Sequence, residues 1–322
     1  MIHTGNRTLI ENLDSLPFSD WSLIENQAGY VPPEARCAKV FTVMTSRGCP
    51  FDCSFCVSSK LFGRKVRKRS VKNVVAEIEQ LVHKNGAKEI HFADDCFTSD
   101  RKWVLDFCDS LRRSKLLLNL SFMNGLRADQ VDEELLLVLK GAGVRTLGFG
   151  VETSDSGLMK ESGKNLSPGA VAEAFRISKK LGLNTWGFFV IGFPGETREQ
   201  ALNTFDLALK LGPDFAKFFP LVPYPGSRVF AEMKRAGRLE GPDWAGFGLY
   251  SESVPTLSAM SPEEIADLIS AFYRKFYLRP GKLLGRLLKI RSASELRLNL
   301  RSFLFLAERF AGRRNSLRTG PN

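Results

Sequence analysis

Between residues 40 and 222 six short apolar runs are separated by five stretches with helical spacing, and this rhythm limits the folds open to the chain. The strand candidates are 40–44, 89–93, 116–123, 144–151, 185–191 and 215–222. After the first of them, Val71, Val74, Val75, Ile78, Leu81 and Val82 recur at helical spacing behind Ser70, a capping residue, and Gly86 closes the run. Helices are expected likewise over 101–111, 132–140, 168–181 and 197–211. Parallel neighbours need a crossover, usually a helix, so the alternation predicts an α/β fold on a parallel sheet. Trp186-Gly187-Phe188-Phe189-Val190-Ile191 is apolar without alternation, as a strand covered on both faces is. Ligands of such sheets sit at the carboxyl ends of the strands, in the βα loops.

The flanks read differently. Residues 1–36 are polar and turn-rich, like a linker or strap, and the Gly241-Pro242-Asp243-Trp244 stretch marks a second boundary. The expected organisation is a strap over 1–36, a core over 37–240 and a basic helical extension over 241–322, with helices at 262–277, 281–290 and 293–310. A chain of 322 residues, 43% hydrophobic and 25% charged, holds one large domain with appendages and is neither polytopic nor wholly disordered. No apolar run approaches the roughly 20 residues that span a bilayer. The first residues lack the apolar stretch of a secretion signal, so a cytoplasmic protein is expected.

Net charge is +11 but concentrated. Lys60–Lys72 holds seven Lys or Arg and no acid, and residues 281–322 hold ten against two Glu. Local anion contacts and a basic tail follow, rather than a nucleic-acid coat, since no reading module accompanies the charge.

Six cysteines are too sparse for a disulfide scaffold, yet three crowd into Cys49-Pro50-Phe51-Asp52-Cys53-Ser54-Phe55-Cys56. A tight loop can turn all three sulfurs to one centre, and three thiolates suit an iron–sulfur site. A cluster of four irons held by three cysteines keeps one iron open, as catalytic zinc sites keep an open position. Zinc itself would want a fourth Cys or His nearby, and Cys37, Cys96, Cys108, His3, His83 and His91 are scattered. Three unrelated thiols are the plainest alternative.

This C-x3-C-x2-C run, with Phe55 before its last cysteine and a strand before its first, resembles the radical S-adenosylmethionine superfamily over about residues 40–230. The resemblance implies a partial (β/α)6 barrel and a 4Fe-4S cluster on Cys49, Cys53 and Cys56. It also implies S-adenosylmethionine bound at the open iron and cleaved after one-electron reduction. It places the methionine ammonium near Ala93, Asp94 and Asp95, and a ribose or methionine polar group near Glu152. The adenine falls near Ile191 and Gly192, with Phe55 packing on it, and Arg127 after the third strand is placed to meet a carboxylate. Taken singly, an Asp-Asp is usually a cap, a Gly-Phe-Pro-Gly a turn and Glu152 a helix cap. Their joint position after successive strands is what carries weight.

More narrowly, Thr45–Cys53, Gly63–Ser70 and Pro223-Tyr224-Pro225-Gly226 resemble the cobalamin-associated branch of that superfamily. This implies methyl transfer to an unactivated carbon, or otherwise hydrogen abstraction, on a substrate the sequence does not name. An iron–sulfur carrier or a degenerate scaffold is the rival reading. The corrinoid domain of that branch needs on the order of 100 residues. About 36 residues precede the first strand here, with no Asp-x-His-x-x-Gly run, so no cobalamin is expected on this chain alone. The expected partners are therefore an external one-electron reductant and, for methyl transfer, a separate cobalamin-binding polypeptide. The Leu- and Arg-rich stretch 281–314 could lie on an anionic membrane surface as a peripheral contact, or pack on the barrel; nucleic acid is not expected.

Overall fold

In the computed structural model, residues 5, 7–24, 30–32, 34–239, 247–248 and 254–281 are described. The expected helices over 281–290 and 293–310, the candidate membrane segment and the 240/241 boundary fall almost wholly outside them. Among the described residues no helix is long and apolar enough to cross a membrane.

The alternation resolves into β1 (Val40–Val43), β2 (Ser46–Arg47), α1 (Ser58–Phe62), β3 (Arg67–Lys68), α2 (Val71–Asn85), β4 (Glu89–Phe92) and α3 (Arg101–Arg113). Then come β5 (Asn119–Leu126), α4 (Glu133–Gly141), β6 (Val144–Glu152), α5 (Ser156–Glu161), α6 (Pro168–Lys180) and β7 (Asn184–Ile191). The described chain ends with α7 (Arg198–Leu211), β8 (Phe215–Pro220), α8 (Arg228–Arg235) and α9 (Pro262–Tyr277). Six strands form one parallel sheet in the order β1-β4-β5-β6-β7-β8, the partial barrel expected, and β2 and β3 make a separate antiparallel hairpin.

Local chemistry sets the helix starts. Side chains of Ser70, Asp100, Asp132 and Ser167 each accept from the backbone N–H three residues on. Thr197 with Gln200, and Ser261 with Glu264, form reciprocal capping boxes. The helical layer buries its apolar face on the sheet, where Phe92, Phe97, Phe107 and Phe122 interlock on one side and Phe189, Phe205, Phe218 and Phe272 on the other.

The third strand departs from the reading of 116–123. Leu116-Leu117-Leu118 is apolar enough to read as strand, but Leu117 is 93% exposed and the chain is still returning from α3 through Lys115 at φ 54°. Pairing with β4 begins only at Asn119, opposite Glu89. The hairpin and the short helices α1 and α8 were too brief to leave a periodic signal.

The strap packs on β1, and the free edge of β8 is covered by α9. The Trp21 ring meets Phe41 of β1 edge-on, with centroids 5.2 Å apart. On β8, the Ala216 N–H donates to the Tyr277 hydroxyl at 3.0 Å and the Phe218 N–H to the Tyr273 hydroxyl at 3.1 Å. Phe272 and Phe276 belong to the main core, so α9 closes the barrel although it was expected in an extension.

Candidate active site

The cysteine loop leaves β1 and β2 and is braced from every side. Gly48 has φ 107°, and a methyl group there would stand 2.4 Å from the Lys65 carbonyl oxygen, so only glycine fits. Cys49 N–H donates to the Gly63 carbonyl at 3.1 Å and Ser54 N–H to the Ser162 carbonyl at 2.7 Å. Val229 N–H donates to the Ser54 carbonyl at 3.1 Å, and Arg64 to the Pro50 carbonyl at 3.1 Å. The Arg127 guanidinium lies 3.7 Å from the centroid of the Phe51 ring. β1, the β2–β3 hairpin, the turn after α5 and the start of α8 thus hold one short loop.

Its three thiols are half-buried and differ in environment. A hydrogen bond from Cys96 lowers Cys49 to about 7, against its partial burial. Burial raises Cys53 to about 11, opposed by the nearby Lys164 ammonium. Cys56 accepts from Ser58 N–H at 3.5 Å, and the Ser58 hydroxyl donates to Asp95 at 2.7 Å. Among the described residues no three His, Cys, Asp or Glu side chains close round a single metal ion. The fit to an iron–sulfur cluster therefore rests on the donor set: three thiols in one loop, with Arg127 beside Cys49 and Lys164 beside Cys53 opposing the burial and the Asp95 and Glu152 charges that disfavour the thiolates.

The adjacent acids part company. Asp94 is 3% exposed and turned inward: Thr45 N–H reaches both its oxygens at 3.1 Å, the Thr45 hydroxyl Oδ1 at 2.7 Å and the Ser46 hydroxyl Oδ1 at 2.5 Å. Its carboxylate anchors the exit of β1. Asp95 is half-buried with Ser58 as its partner, and burial raises its pKa. Ala93 donates its N–H to the Val43 carbonyl at 3.1 Å, tying the same loop to β1.

At the end of β6, Glu152 is 7% exposed with φ 64°, an uncommon conformation for a residue with a side chain. It pairs with Lys164, itself 8% exposed. Gly150 makes the space, since a methyl group there would stand 2.4 Å from the Lys164 ammonium. Arg127 bonds Asp129 through two nitrogens, at 3.0 and 2.7 Å, and the Lys164 carbonyl at 3.0 Å. The carboxylate it meets in the structure is one of its own chain.

After β7, Ile191 is fully buried in the core and the Gly192 N–H donates to Glu196 at 2.5 Å. Gly192 has φ 97°, a backbone conformation that favours glycine, and a methyl there would stand 2.9 Å from the end of the Ile265 side chain of α9. Phe55 packs edge-on against Phe193 at 5.7 Å in a small second core with Leu158, Val190, Leu221 and Val229. Two site residues escaped the sequence reading. Cys96 was set aside as scattered, although its position one residue after Asp95 marked it. Glu196 is fully buried, accepts from Gly192 and Phe193 through one oxygen, and keeps Oε1 buried without a partner among the described residues. Burial pushes its carboxyl up to about 7. Within the basic block, Arg67 donates to the Ile10 and Phe62 carbonyls and Arg69 pairs with Glu77.

Comparison with known proteins agrees with this architecture. The profile of the Radical SAM superfamily matches residues 43–208, from β1 into α7, and the chain belongs to that superfamily. An uncharacterized methyltransferase of Pyrococcus horikoshii is 36% identical over 281 residues, covering 86% of this chain and 59% of that protein. The cytidylyl-2-hydroxyethylphosphonate methyltransferase of Streptomyces wedmorensis is 29% identical, over 83% of this chain and 52% of that one. The chain thus spans little more than half the length of these relatives. Among solved structures, the radical S-adenosylmethionine methyltransferase TsrM of Kitasatospora setae, with cobalamin and a 4Fe-4S cluster bound, superposes with a TM-score of 0.57. It is 20% identical and covers 71% of this chain and 43% of that one, a likeness of fold.

Proposed function

We propose that this chain cleaves S-adenosylmethionine reductively at a 4Fe-4S cluster held by Cys49, Cys53 and Cys56, and directs the resulting radical chemistry at carbon, with methyl transfer to an unactivated carbon as its outcome. The observation that carries the reading is the braced cysteine loop at the carboxyl end of a parallel partial barrel. Methyl transfer draws on the relatives named as methyltransferases. When bound, the cluster would supply the electron that opens the sulfonium of the methionine cofactor.

The chain's own residues have definable tasks. Glu152 and Lys164 present opposite charges at the end of β6, complementary to the ammonium and carboxylate of an amino acid. Phe55 and Phe193 offer an apolar edge for adenine, and Asp95 stands beside Cys56 through Ser58. The electron would come from an external one-electron reductant. His91, which lies inside the barrel, is held by Glu89 at 2.8 Å and is not presented as a corrinoid ligand. We therefore assign any corrinoid to a separate cobalamin-binding domain or polypeptide.

The test is anaerobic reconstitution with iron and sulfide, followed by reductant and S-adenosylmethionine. Formation of 5′-deoxyadenosine, or of methylated product with cobalamin supplied, is expected. A brown, iron-replete protein that leaves the cofactor intact would favour the carrier reading instead. Glu152→Ala should weaken S-adenosylmethionine binding while sparing iron content, and unchanged affinity would remove Glu152 from the site.

A further inference from the structure

The inner wall of the barrel carries a lysine that this reading does not use. Strand pairing places Gly150, Phe188 and Lys217 at one level across β6, β7 and β8. Side chains alternate along a strand, and Phe189 and Phe218 face outward onto Phe205 and Phe272 of the helical layer. Trp186, Phe188 and Lys217 therefore face the interior. A methyl group on Gly148 would stand 2.7 Å from the Phe188 ring, and one on Gly125 3.4 Å from it, so two glycines leave the room that ring occupies.

Lys217 holds its ammonium 5.0 Å from the centroid of Trp186 and 6.0 Å from that of Phe188. The carboxylate of Glu34, from the strap, stands at 3.5 Å, beyond the ordinary N–H···O distance. Lys164 and Lys68 behave otherwise: the first is bonded directly to Glu152, and the second donates to the Phe97 carbonyl at 2.8 Å. Lys217 keeps 31% of its side chain accessible. An ammonium set among rings, loosely paired and reachable by solvent, retains donors for an incoming anion. It lies three residues below the last paired residues of β7 and β8, Ile191 and Pro220. At about 3.3 Å per residue that is roughly 10 Å beneath the rim.

The geometry points to a substrate chamber in which Phe188 supports a flat apolar body and Lys217 binds its anionic substituent, a carboxylate or a phosphate, with Glu34 giving up its place to the anion. The inference deepens the proposed function, because an occupant at this depth would lie under the cysteine loop. Its test needs neither cluster nor cofactor, so its failure and the failure of cofactor cleavage are separate results.

The probe is 1-anilinonaphthalene-8-sulfonate, compared with N-phenyl-1-naphthylamine, the same body without the charge, on the full chain. One sulfonate should bind per chain, quench the emission of Trp186 and bind about tenfold tighter than the neutral amine. Lys217→Met should abolish that preference while leaving the neutral probe unchanged, and Lys217→Arg should keep it. Glu34→Gln should tighten the sulfonate a few-fold, which serves as a second measurement if Lys217→Met folds poorly. Displacement by 2-naphthoate or by 2-naphthyl phosphate then identifies the preferred anion. A preference that survives Lys217→Met, or quenching that persists in Trp186→Phe, overturns the chamber.

Discussion

The two ends of the barrel each bury a carboxylate, and they treat it in opposite ways. At the amino end, Glu89 is completely buried and fully engaged: Arg36 and Cys37 donate backbone N–H groups at 2.7 and 2.9 Å, His91 stands at 2.8 Å and Ser121 donates at 3.0 Å. At the carboxyl end, Glu196 is equally buried but has an oxygen without a partner among the described residues, and its carboxyl is pushed up to about 7. The saturated end holds the fold; the under-satisfied end surrounds the candidate chemistry, where thiols are half-buried and Glu152 adopts a left-handed backbone.

The sharpest way to break the contrast is Glu89→Ala, which strands several donors in the core. A loss of about 3–5 kcal/mol is expected in urea unfolding, and a loss below about 1 kcal/mol would refute the structural role of the amino end. Glu196 should act through pH. Its folded pKa of about 7 exceeds the unfolded 4.5, so the folded chain binds the extra proton between those values. Stability from this group is present at low pH and falls as pH rises through that window, by about 2–3 kcal/mol. Glu196→Gln should flatten that slope relative to wild type in unfolding midpoints at pH 5 and pH 8. If the slope does not change, the carboxyl titrates normally. Tyr277→Phe deletes one edge contact of β8 and should cost about 1 kcal/mol by the same measurement. Smallest in stability is Cys53→Ala, with a change below about 1 kcal/mol because the loop is held by its backbone. Iron content after reconstitution should nevertheless collapse, and a variant with full iron would remove Cys53 from the ligand set.

What could be read from the sequence follows the same division. The parallel barrel was legible because its helices carry a clear period, and the starts read behind Ser70 and at 132 and 197 fall within one residue of those the structure keeps. The cysteine loop was legible from spacing alone. Direction was not. Nothing in Asp94-Asp95 tells which acid turns toward Thr45 and Ser46, since both follow the same strand and only the tertiary position of β1 decides. Cys96 could not be matched to Cys49, because that pairing crosses loops from different strands, and Lys164 meets Glu152 only because the chain turns back after α5. Leu116–Leu118 misled for the converse reason: an apolar run says nothing of where a register begins.

The seam at β8 has a consequence for how the barrel can vary. Tyr273 and Tyr277 are four residues apart on a helix, a rise of about 6.0 Å. The amides they meet, Phe218 and Ala216, are two residues apart on a strand, about 6.6 Å. The two lengths nearly coincide, so one helix stands in for the missing neighbour strand, rung against rung. Such a ladder tolerates sliding by whole turns but no fractional step. Inserting one residue between the two tyrosines would rotate one hydroxyl off the edge by about 100°, baring an amide and opening a lateral edge to strand addition by another chain. An exposed loop can lengthen at little entropic cost, but along α9 the admissible changes in length come in units of a helical turn.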